Sequence, residues 1–103
     1  MAERYTAWRT IEADTLIHRG PCLLHCVVVL PDSSGGGITI YEGQDTASGD
    51  KMLRVQGSSD VSKVVLFDPP LPCQRGLYAG DASHLDEAFI HYTSLPKNTL
   101  FNE

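Results

Sequence analysis

Cys22-Leu-Leu-His-Cys-Val-Val-Val-Leu30 leaves almost no polar position on either side of the chain. Alternate side chains of a strand point to opposite faces, so both faces of this segment are apolar. That pattern predicts a central strand covered on both sides, by a second sheet or by neighbouring chains. Gly20-Pro21 breaks the chain before it and Pro31-Asp32 closes it.

Working outward, short extended segments recur between clusters of Gly, Pro, Asp and Ser, a spacing that suits a sandwich or barrel. Tyr5–Ile11 and Thr15–His18 precede the central strand. Asp32-Ser-Ser-Gly-Gly-Gly37 reads as a flexible turn into Ile38-Thr-Ile-Tyr41, with Ile38 and Ile40 on one face. Glu42–Asp50 is a polar loop. Lys51–Gln56 alternates, with Leu53 and Val55 inward and Arg54 outward. Val61–Phe67 is expected to end as a strand at Asp68-Pro69-Pro70, because proline has no N–H for a central ladder. Gly76–Ala79 and Ala88–Thr93 complete the set. Ser83–Ala88 is the one stretch with a capping pattern for a helical turn.

At 103 residues the chain has room for one core, so residues 1–103 are expected to form a single antiparallel β-sandwich domain. Residues 1–13 are an N-terminal arm or edge strand, and 95–103 a C-terminal tail. Eight Lys and Arg against thirteen Asp and Glu give a net charge of −5. No basic run is present, which argues against nucleic acid as a partner. Met1–Ile11 has no continuous apolar stretch of signal-peptide type, and the longest apolar run is too short to cross a membrane. Neither export nor membrane association is expected.

Each candidate chemistry meets a geometric objection. Cys22, His25 and Cys26 are close in sequence, but on a regular strand Cys22 and Cys26 share a face while His25 points the other way. Zinc needs its ligands about 2.0–2.3 Å from one point, so no metal site is expected. Cys22 and Cys26 would lie roughly 13 Å apart, beyond disulfide reach, and reduced buried thiols are the expectation for all three cysteines. Cys73, beside Gln74-Arg75, is the only thiol with a cationic neighbour, yet Pro72-Cys-Gln-Arg-Gly76 matches no nucleophile signature; no catalytic residue is assigned. Glu42, Asp45 and Asp50 lack the spacing of a calcium loop. Gly35–Gly37 lacks the Lys and the helix that a phosphate cradle requires. No cofactor is therefore expected. Trp8, Tyr41, Tyr78 and Tyr92 are candidates for a sugar-stacking platform, with core packing as the simpler role. His25 is a satisfied core histidine or faces a contact between subunits, where acid would weaken assembly.

The order of pieces from Asp14 onward resembles small all-β virion proteins of tailed bacteriophages, of the head-decoration, head-fibre and neck type. Ile17-His-Arg-Gly-Pro21 leads into the apolar strand. The glycine loop feeds Ile38-Thr-Ile-Tyr-Glu-Gly43, a proline-rich bend feeds Arg75-Gly-Leu-Tyr78, and Phe89-Ile-His-Tyr92 closes the pattern. The resemblance implies a jelly-roll-like sandwich assembling as a homo-oligomer, often a trimer, on the major capsid protein or other virion proteins. It implies a non-enzymatic structural role in the virion, after synthesis in the host cytoplasm. Attachment is assigned to Trp8 of the arm and to Leu100 and Phe101 of the tail. The rival expectations are a carbohydrate- or ligand-binding β-module on Trp8 and the tyrosines, and an enzyme using Cys73 with a histidine.

Overall fold

The central segment becomes strand β3, Cys22–Pro31, paired on both sides. The computed structural model describes residues 5–45 and 49–97. Around β3 lie β1 (Tyr5–Ile11), β2 (Thr15–Arg19), β4 (Gly36–Glu42), β5 (Asp50–Gly57), β6 (Lys63–Cys73), β7 (Gly76–Ser83) and β8 (Leu85–Ser94). They form two four-stranded antiparallel sheets, ordered β1-β8-β3-β6 and β2-β7-β4-β5. First pairs with last, second with seventh, third with sixth and fourth with fifth. The chain is thus a ribbon folded back on itself and rolled, so that β8 also meets β3 and β7 meets β4. This is an all-β sandwich with one core, in which Leu24, Val27, Val29 and Ile90 of one sheet meet Ile38, Ile40, Val55 and Leu77 of the other.

One irregularity changes the faces of β3. The register shifts between Leu24 and Cys26 against both neighbours, placing His25 as an extra residue opposite β8. An extra residue reverses the alternation beyond it. Cys22 and Leu24 point inward before the bulge and Val27 and Val29 after it, all fully buried. Cys22 and Cys26 therefore do not share a face, contrary to the regular-strand reading; Cys26 lies on the outer side.

β6 corrects a second expectation, because it continues through the prolines to Cys73. Leu66 pairs with Cys26 and Leu71 with Leu24, so Phe67–Pro70 bulge out across from His25, with a cis peptide at Asp68–Pro69. The strand tolerates them because it is an edge that pairs only with β3. Tyr5–Ile11 is likewise an edge strand, aligned residue for residue with Ala88–Ser94.

The expected helical turn at Ser83–Ala88 is absent, and no helix occurs among the described residues. β7 runs through Ser83, His84 turns the chain at φ 47°, and β8 starts at Leu85. Nor is Gly35–Gly37 wholly a flexible turn. Asp32 organises the turn, its carbonyl accepting from the Gly35 N–H at 3.0 Å and its carboxylate from the Ser34 N–H at 2.7 Å. Gly36 and Gly37 are buried strand residues; a Cβ on Gly37 would lie 1.9 Å from the Val55 carbonyl oxygen. The glycines permit close backbone approach, a requirement of packing rather than of mobility.

Gly37→Ala should accordingly destabilise the fold by roughly 2–3 kcal/mol, the scale of core overpacking. A lowered urea midpoint with unchanged slope is the expected readout.

Candidate functional site

The outer face of the β1-β8-β3-β6 sheet is built from cross-strand rows, since residues opposite one another in antiparallel strands share a side. One row runs Trp8, His91, Cys26, Leu66, and the next Thr10, Phe89, Val28, Val64. A third continues with Thr93, Leu23 and Pro72. None of these positions is Lys, Arg, Asp or Glu. Trp8 is 57 % exposed, Val64 53 % and Leu66 75 %. They stand at the two edges of the sheet and flank the better-covered Cys26, Val28 and Phe89. The bulge in β3 makes this face continuous, because it turns Cys26 and Val28 outward.

A ring cluster sits on the same face. The Trp8 indole stacks on His91 with centroids 4.4 Å apart and planes 7° from parallel. His91 lies 5.0 Å from His25, whose Nε2 is 2.6 Å from the Thr93 hydroxyl oxygen. Burial pushes the His91 imidazole below its ordinary pKa, and the neighbouring His25 pushes it the same way. When His91 is charged, the stacked indole offsets part of that penalty. His18 is also pushed down by burial, against the opposing effect of a hydrogen bond to the Pro21 backbone.

The outer face of the other sheet closes on its own polar groups. The Tyr41 hydroxyl donates to the Asp81 carboxylate at 2.5 Å. Arg54 donates to the Thr39 hydroxyl at 3.0 Å, the Asp81 carbonyl at 2.8 Å and the Ser83 hydroxyl at 3.0 Å. The hydrogen bond to Asp81, ahead of burial, raises the Tyr41 phenol, whereas Tyr78 is raised first by burial and then by Asp14, Asp45 and Asp81.

The remaining candidates separate in space. Trp8 is at the edge of one sheet, and Tyr41 and Tyr78 pair 6.3 Å apart on the other. Tyr92 packs toward the core, 5.6 Å from His18. The four rings do not form one platform. Glu42 accepts from the Gln74 N–H at 2.7 Å and Asp50 pairs with Arg75 at 2.7 Å, so these carboxylates turn to separate partners. Among the described residues no three His, Cys, Asp or Glu converge on a metal-sized site. Cys73 is fully buried, and a hydrogen bond with Cys22, followed by burial, raises its thiol far above the ordinary value. A thiol held neutral is a poor nucleophile. Leu100 and Phe101 lie outside the described residues.

The sequence singles out Trp8, which is exposed at the edge of this face; Val64, Leu66, Phe89 and His91 were not singled out. For Val64 and Leu66 the signal was the unbroken Val64-Val65-Leu66-Phe67 run. On an edge strand such a run must leave every second side chain on the outer face. Compared with known proteins, the chain matches no family model, no curated protein and no solved structure.

His18 and His91 hold protons less tightly in the fold than at the ordinary histidine value of 6.5. The unfolded chain thus binds more protons as pH falls through that value, and folding stability drops with it. Urea midpoints should decline from pH 7 to pH 5, and His91→Gln should reduce the decline.

Proposed function

We propose that this chain is a structural component of a tailed-phage virion: a jelly-roll domain that assembles with copies of itself, as a trimer, and decorates or cements the capsid. A neck, tail or head-fibre position would use the same chemistry. Its place of work is the virion, after synthesis in the host cytoplasm. The observation that carries the reading is the pair of uncharged central rows on the outer face, spanned by Trp8, His91, Cys26 and Leu66 and by Thr10, Phe89, Val28 and Val64, with Glu87 at their margin. Large apolar groups gathered on one face are characteristic of interaction sites.

The occupant of this face is a second copy of the chain. The molecule carries a net charge of −5, so copies repel wherever acidic groups meet. These rows carry no formal charge, which makes them the surface on which copies approach at least cost. A partner chosen by charge would find nothing here to recognise. Turning three such faces toward one axis would close the assembly and withdraw Trp8, Val64 and Leu66 from water together. The rolled strand order, pairing first with last inward to fourth with fifth, supports the jelly-roll reading, an architecture used by viral capsid and lectin domains. Of the residues assigned to capsid attachment, Trp8 is taken up between copies in this arrangement, which leaves the capsid contact to Leu100 and Phe101.

Native mass measurement at about 10 μM, where an interface of roughly −7 kcal/mol is half occupied, should return an oligomer. Trp8→Ser combined with Leu66→Ser should weaken it by about 30-fold or more, as expected on losing about 2 kcal/mol of contact, and abolish capsid occupancy. Circular dichroism should be unchanged. A wild-type monomer at that concentration overturns the proposal.

A further inference from the structure

We infer that Cys22 and Cys73 form a cross-strand disulfide when the chain folds in the presence of a small disulfide oxidant such as oxidised glutathione. The inference rests on β3 and β6 alone and does not depend on the proposed function. The two residues are register partners at the end of the β3–β6 ladder. Opposite residues of an antiparallel pair have Cα atoms about 4.5–5.5 Å apart, within the about 4.4–6.8 Å that a disulfide spans. Both side chains are fully buried in the same core cluster. Cys26 is excluded from the linkage, since the bulge at His25 places it on the opposite face, paired with Leu66 and His91.

The surrounding backbone gives the linkage something to hold. Phe67–Pro70 have no ladder partner on β3, so the end of β6 is held to it only through Leu71–Cys73. β6 is also an edge strand, without a neighbour on its other side. This end is where local opening can admit an oxidant that the closed core excludes. One thiolate attacks a sulfur of oxidised glutathione and displaces one molecule of reduced glutathione, leaving a mixed disulfide. The second thiol then attacks the protein-bound sulfur and displaces another. Two protein thiols are oxidised, one glutathione disulfide is reduced, and the two protons pass to the departing thiolates. The new bond pins the short end of β6 beyond its bulge to the central strand.

Refolding the wild-type chain in a mixture of reduced and oxidised glutathione, alkylating, and mapping peptides by mass provides the test. The expected product has lost two hydrogens, joins the Cys22 peptide to the Cys73 peptide, and carries the alkyl label on Cys26 alone. Reducing that sample should lower its melting temperature by roughly 10 °C or more, because the bond closes a long loop. Full alkylation of Cys22 and Cys73 in correctly refolded protein would overturn the inference, as would a retained glutathione adduct or a linkage through Cys26. Aggregation under oxidising but not reducing conditions would overturn it too, since the bond would then be incompatible with the fold. Because no variant enters the mapping, loss of folding by substitution does not confuse the outcome.

Discussion

The two-sided pairing of β3, combined with the single extra residue at His25, is the constraint on which the molecule depends. A strand hydrogen-bonded to β6 and β8 has all its ladder partners within the sheet, and its inner side chains close the core against β4, β5 and β7. Without the bulge, one set of alternate residues would face inward along its length. With it, Cys22 and Leu24 face inward before the bulge, and Val27 and Val29 after it. The same inserted residue sends Cys26 and Val28 outward, where Trp8, Phe89, Val64 and Leu66 extend them into an apolar surface.

The two sheets are consequently unlike. One outer face consumes its polar groups internally, through Tyr41, Asp81, Arg54 and Thr39. The other carries no formal charge in its central rows, and its described side-chain hydrogen bond is that of His25 with Thr93. A polar face satisfied from within gains little by binding, whereas an apolar face gains by every square ångström withdrawn from water. This asymmetry is the basis of the proposed assembly through one side of the sandwich.

The three cysteines acquire different characters from the same geometry. Cys22 and Cys73 are opposite one another in the core, and Cys26 belongs to the outer surface. Three cysteines in a sequence suggest an unpaired set, yet two of them are neighbours in space. The prolines of β6, which read as the end of a strand, leave its last residue within reach of the first residue of β3.

Sequence alone located the eight strands of the described residues, because period-two alternation and Gly, Pro and Asp punctuation are local properties, but β6 and β7 run well past their expected ends. It also marked Cys22–Leu30 as central and placed Val55 inward and Arg54 outward, since few ways exist to bury so many apolar groups. Tertiary structure decided what local rules do not encode. It made β6 an edge that tolerates prolines, turned Gly36 and Gly37 into sites of backbone contact, and replaced the Ser83 helical turn with a one-residue corner. The outer face was decided there as well. A one-residue shift exchanges the two sides of a strand, and which residue is the extra one depends on the partners across the ladder.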